Sequence, residues 1–188
     1  MKQRWLLATA VIGLFCLACD GESTPPVSTG NLQDLYSRNL DLPSLAPGAD
    51  CPISAQQDIG GAGAPTKKSD QVPSYGFGTW PVFLTGGGPW FTEMGALVVI
   101  NPEYGGPLIV RGRQLDGGSG IPLEAELGST ALGEHGVEFA ASSSGKWRKW
   151  TGRIAKAASP GCYGLQVDGF TFTSQIVFEI QAGPRPPG

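Results

Sequence analysis

The stretch from Tyr163 to Ile180 holds a two-residue period longer than a helix tolerates, and it constrains the fold more than any other feature. Tyr163, Leu165 and Val167 alternate with Gly164, Gln166 and Asp168. After Asp168-Gly169, the residues Phe170, Phe172, Ile176, Phe178 and Ile180 share one face, and Thr171, Thr173, Gln175 and Glu179 the other. Successive side chains of a strand point to opposite sides, so this pattern predicts two strands with a common apolar face. Asp168-Gly169 reads as the hairpin turn, because Gly accepts positive φ freely and Asp tolerates it. A sheet with one apolar face must bury it against a second layer.

Other short strand signals precede this pair, separated by turn residues. They are Pro81 to Leu84, Gly95 to Ile100, Leu108 to Arg111, Leu123 to Leu127, Val137 to Ala141 and an edge-type run from Trp147 to Ile154. The chain carries 29 Gly and 16 Pro, a density that interrupts long helices and favours strands joined by turns. A short helix is possible around Leu32, Leu35 and Tyr36. About seven strands in this order predict an all-β, two-sheet antiparallel sandwich.

The N-terminus reads as an address label. Lys2 and Arg4 precede an apolar run from Trp5 to Ala18 in which Thr9 is the one polar side chain. Those 14 residues reach about 21 Å as a helix, short of a hydrocarbon core of about 30 Å. The pattern fits a signal peptide over residues 1–18. Leu17-Ala18-Cys19 then resembles a lipobox, with Cys16 in place of the usual aliphatic residue. Ordinary signal peptidase would also cleave after Ala18, and the two routes differ only in whether Cys19 carries lipid.

Cysteine parity favours the lipid. Cys16 leaves with the signal, and Cys19, Cys51 and Cys162 remain. An odd thiol is a liability in an oxidising compartment. Acylation of Cys19 removes it and leaves Cys51 and Cys162 to pair across a loop of about 110 residues, a closure worth about 4–5 kcal/mol in the chain-entropy treatment. On strict alternation Cys162 faces away from Tyr163 and Leu165, so the bond clamps a surface segment to the strand's start. The expected organisation is a signal peptide at 1–18, a lipid-anchored flexible tether at 19–49, the sandwich at 50–181 and a frayed tail at 182–188. Lipid at Cys19 predicts an exported, membrane-anchored protein facing the periplasm or the cell exterior.

A resemblance to a family accompanies these readings. Val110-Arg-Gly-Arg-Gln-Leu-Asp-Gly117, Gly161-Cys-Tyr-Gly-Leu-Gln-Val-Asp-Gly-Phe-Thr-Phe172 and Ile176-Val-Phe178 resemble segments of uncharacterised exported bacterial proteins with a Gly-Cys-Tyr…Gln-Val-Asp-Gly…Ile-Val-Phe ending. The resemblance implies secretion and an immunoglobulin-like β-sandwich, and it carries no activity. Gly164 stands where a bulkier residue is expected, and Phe170 where a smaller one is.

Charge narrows the partners. Loss of residues 1–18 leaves 11 basic against 16 acidic residues, a net of −5, which repels phosphate backbones and argues against nucleic acid. The one histidine, His135, lies in Gly133-Glu-His-Gly136 and reads as a turn residue; no Gly-x-Ser-x-Gly elbow accompanies it. Cys51, Cys162 and His135 are too few for a structural zinc site, so no metal and no cofactor are expected. Gly86-Gly-Gly88 and Gly60-Gly-Ala-Gly63 lack the Gly-Lys-Ser/Thr of a phosphate loop. Glu124 and Glu126 read as a solvated strand face, and Arg111, Arg113 and Asp116 as a structural ion-pair cluster. Trp147, Arg148 and Trp150 form the candidate binding set, since exposed aromatics beside cations stack on sugars or anchor a partner. The expected function is a non-enzymatic binding or scaffolding module of the cell envelope that meets an envelope protein or a glycan. The alternative is a glycan- or peptide-binding sensor accessory; a hydrolase is the least favoured.

Overall fold

The computed structural model describes residues 30–46, 48–60, 75–85, 90–91, 95–121, 123, 129–132, 136–153 and 159–182. The signal peptide, Cys19, residues 20–29, Lys67-Lys68, Gly86–Gly88, Glu124, Glu126, His135 and the tail from 183 lie outside the described residues. One helix, α1 (Leu32–Ser37), precedes the strands β1 (Gln56–Asp58), β2 (Tyr75–Thr79), β3 (Val82–Thr85), β4 (Trp90–Phe91), β5 (Gly95–Ile100), β6 (Leu108–Gln114), β7 (Ser129–Ala131), β8 (Gly136–Phe139), β9 (Arg148–Arg153), β10 (Gly161–Gly169) and β11 (Phe172–Gln181). These strands form two sheets, ordered β1-β2-β3-β5-β9 and β4-β11-β10-β6-β8-β7. Every pairing is antiparallel except the short β11–β4 contact. The expected all-β sandwich is therefore the fold. It has more strands than the seven or so expected, because pieces of two or three residues (β1, β4, β7) are too short to leave an alternation signal.

The core lies between the sheets. Val82, Leu84, Val98, Ile100 and Trp150 of the first sheet meet Leu108, Val110, Val137, Phe139, Tyr163, Leu165, Val167, Ile176, Phe178 and Ile180 of the second. Trp150 stands edge-on to Phe139 across the gap, 5.8 Å between centroids at 87°. Aromatic quadrupoles favour that geometry. Tyr104 caps one end, its hydroxyl donating to the Pro107 carbonyl at 2.6 Å and accepting from the Phe170 amide at 3.0 Å.

The C-terminal hairpin forms with the expected faces but a different turn. Asp168 pairs with Thr173 and Gly169 with Phe172, so the loop is Phe170-Thr171. Asp168 is held inside the sheet by side-chain bonds to Gln166 and Thr173, which outweigh its turn preference. Among the described residues no non-glycine residue has positive φ, Phe170 and Thr171 included, so the turn is not the mirror-image type that Asp-Gly favours. A Cβ on Gly169 would sit 2.4 Å from the Phe172 ring and 2.7 Å from the Tyr104 hydroxyl, so glycine serves close packing here.

Residues 30–46 depart most from expectation. They were expected within a flexible tether, and they instead lie across the outer face of the six-stranded sheet. Every residue of β10 from Cys162 to Gly169 is buried as a result, on both faces. The chain then passes along the edge of β11, where Ser54 exchanges bonds with Val177, and enters the other sheet at β1. The reason is specific polar pairing and two leucine anchors, which a composition of Ser, Asn, Asp and Pro conceals.

Candidate functional site

The second face of β10 builds the site. Alternation turns Cys162, Gly164, Gln166 and Asp168 outward, and the antiparallel register sets Arg111 opposite Gln166 and Arg113 opposite Gly164. Asp168 is 0% exposed, and its carboxylate accepts from Arg111 Nη2 at 2.7 Å, Gln166 Nε2 at 2.9 Å and Thr173 Oγ1 at 2.8 Å. Arg38 Nη1, from the covering segment, lies 3.7 Å away. A buried carboxylate is tolerated because charge and hydrogen bonds compensate its lost hydration. The Arg111 Nε, buried in the same cluster, has no hydrogen-bond partner among the described residues.

The covering segment is gripped through its main chain. Arg111 donates to the Arg38 carbonyl at 2.7 Å, Gln166 Nε2 to the Asn39 carbonyl at 2.8 Å, and Arg113 to the Leu42 and Pro43 carbonyls at 2.7 and 3.1 Å. Gln175 donates to the Asp41 carbonyl, and Gln166 Oε1 accepts from the Asp41 amide. Arg38 in turn donates to the Gly169 and Phe172 carbonyls and to Thr173 Oγ1. Leu42 sits on Gly164: a Cβ there would come within 3.2 Å of Leu42 and 3.0 Å of Leu115. Phe170 lies against Gly30, where a Cβ would meet its ring at 2.2 Å. Gly164 and Phe170, the two unexpected residues of the C-terminal segment, thus both face this strap.

The strap is short of its own supports. Asn31 caps α1 through a side-chain bond to the Gln33 amide, but six residues do not sustain a helix in water. Leu35 and Leu42 are its buried hydrophobics. The Tyr36 hydroxyl donates to Glu138 on β8, and that bond raises the Tyr36 pKa.

Cys51 and Cys162 are joined, Cα to Cα 5.5 Å, across 111 residues. The bond lies with Leu42, Leu115 and Val177 on the outer face rather than between the sheets, and it fastens the far end of the strap to the start of β10. The expected Arg111, Arg113 and Asp116 cluster is split. Arg111 pairs with Asp168, Arg113 holds strap carbonyls, and Asp116 accepts from the Cys162 amide at 3.2 Å. No simple spacing links Arg111 to Asp168; the β6–β10 register creates the pair.

Trp147, Arg148 and Trp150 are not gathered on one surface. Trp150 is 2% exposed in the core. Trp147 packs on the opposite side of the sheet against Phe83 and Val99. The Arg148 guanidinium points inward, donating to the Ala140 and Tyr104 carbonyls at 2.9 and 2.7 Å and standing 5.7 Å from the Tyr104 ring centroid. Strand alternation separates positions 147 and 150, which a linear reading of Lys146-Trp-Arg-Lys-Trp150 places together. Trp80, 51% exposed, is the most open tryptophan among the described side chains.

No family model, curated protein or solved structure matches this chain, so the site is read from its own geometry. Among the described residues no cluster of His, Cys, Asp and Glu could hold a metal, and no helix is long and apolar enough to cross a membrane.

Proposed function

We propose that this chain is an exported bacterial lipoprotein, anchored by acylated Cys19, whose sandwich serves as a non-enzymatic binding module of the cell envelope. The observation that carries this reading is the Cys51–Cys162 bond. It uses two of the three cysteines that follow the signal-like run and leaves Cys19, at the lipobox position, as the residue for acylation. Disulfides persist where the compartment is oxidising, which agrees with export. The binding role is supported by the outer face of the six-stranded sheet, where Arg111, Arg113, Gln166 and Gln175 all engage main-chain atoms of an extended segment. The Asp168 carboxylate there is fully engaged by neighbours, which suits recognition better than proton transfer. Replacing Cys19 with Ala tests the anchor: the protein should move from the membrane to the soluble fraction of the envelope. Retention in the membrane without Cys19 would refute lipid anchoring.

A further inference from the structure

We propose that the outer face of the six-stranded sheet is a docking groove for an extended peptide of the form Arg-x-x-x-Leu, and that residues 30–46 occupy it as a removable intramolecular ligand through Arg38 and Leu42. This deepens the binding-module reading and does not require the lipid.

Three features of the groove carry the inference. The sheet's side chains bind five strap carbonyls (Arg38, Asn39, Asp41, Leu42 and Pro43) and one strap amide (Asp41). Those bonds are blind to the side chains of the bound segment and would form with any extended chain in the same place. Two sockets then add selectivity. Asp168, Thr173 and the Gly169 and Phe172 carbonyls receive the arginine, and the missing Cβ of Gly164 seats the leucine, Leu42. The groove also stays composed when empty, because Asp168 keeps Arg111, Gln166 and Thr173 from its own sheet.

The strap is built to leave. Most of its residues are exposed, Arg38 remains 31% exposed, and its helix has six residues. Such segments open below the free energy of global unfolding. Gly48, at φ 77°, gives a turn between the strap and the fixed Cys51. A tethered competitor has an effective concentration in the millimolar range, so an outside peptide meets a strong but finite block. An occupant with the same two anchors displaces the strap and frees residues 30–46 on the side of the chain that leads to Cys19.

The test uses the full chain in mild detergent and a fluorescent synthetic peptide of residues 30–46. In the unaltered protein, hydrogen exchange at the Asp41 and Leu45 amides should be at least ~100-fold faster than in β10 and β11. Exchange at the same rate as those strands would overturn the proposal, since the strap would then open only with the whole domain. The Arg38→Ala, Leu42→Ala double variant should bind the peptide saturably and at least ~10-fold more tightly than the unaltered chain. A peptide carrying the same two substitutions should bind at least ~10-fold more weakly than the native peptide. Gly164→Val, which fills the leucine socket, should abolish binding in the double-variant background. No saturable binding to a double variant whose β10 and β11 remain protected would overturn the groove. Loss of β10 and β11 protection in the double variant would equally overturn it, by making the strap an indispensable part of the fold. Failure of any of these leaves the Cys19 anchor untouched, and absence of acyl mass leaves the groove untouched.

Discussion

Replacing Asp168 with Ala removes a carboxylate that is 0% exposed while leaving the Arg111 guanidinium beside it 22% exposed. Arg111 then loses its 2.7 Å partner, and its Nε already lacks one among the described residues. Breaking a buried pair from one side costs about 3–5 kcal/mol, because the other charge stays uncompensated. The partial exposure of Arg111 lets water relieve some of that. Gln166 keeps its bond to Asn39 and Thr173 its bond to Arg38, so those groups add little. The expected loss is about 3 kcal/mol. With a urea slope of about 1.5–2 kcal/mol/M for a domain of this size, the midpoint falls by roughly 1.5–2 M. Equilibrium unfolding followed by tryptophan fluorescence measures it. Arg111→Met in the Asp168→Ala background should restore part of the loss, giving a coupling of about 1–2 kcal/mol in the double-mutant cycle. A single-variant cost below about 1 kcal/mol, or zero coupling, would refute the view that this pair organises the outer face.

Other outcomes follow from the same geometry. Trp150→Ala should cost about 3–5 kcal/mol and Trp147→Ala about 1 kcal/mol, measured by urea unfolding, because Trp150 fills the core and Trp147 covers an outer face. Similar costs for the two would contradict their placement on opposite sides of the sheet. Burial raises the pKa of Tyr104 and of Tyr163, the latter helped by nearby Asp116. Their stabilisation is complete below the ordinary tyrosine value of about 10 and is lost as pH rises through the raised values. The melting temperature should therefore fall steeply above about pH 10, with tyrosinate absorbance appearing as the fold is lost; ionisation at the ordinary value without loss of stability would contradict this. Reduction of Cys51–Cys162 should lower stability by up to about 4–5 kcal/mol in the chain-entropy treatment. It should speed exchange in the strap more than in β10 and β11, since the bond fastens the strap's end; an even increase would argue otherwise.

The parts of this fold legible in the sequence are those where one physical rule dominates. Alternation set the faces of β10 and β11, and it correctly turned Cys162 away from the core. Gly95–Ile100 was bounded by its own apolar run, and β9 lies at a sheet edge as its polar composition suggests. The turn moved by two residues because Asp168 has tertiary partners that no local preference contains. The strap was hidden for a related reason. Its grip is mainly on main-chain atoms, which look the same in every sequence, and its sockets are made by residues more than a hundred positions away. Gly164 and Phe170 were visible as anomalies and both face the strap, whereas Asp168 read as a turn residue and gave no sign of its buried role. The tryptophan pair failed for the opposite reason, since proximity along the chain is not proximity in space on a strand.

Intact-mass spectrometry of the protein from bacterial membranes, with and without reduction, tests the central claim most directly. A chain beginning at Cys19 with added acyl mass, gaining the mass of two hydrogens on reduction, is the predicted result. An unmodified Cys19, or free thiols at Cys51 and Cys162 before reduction, would contradict it.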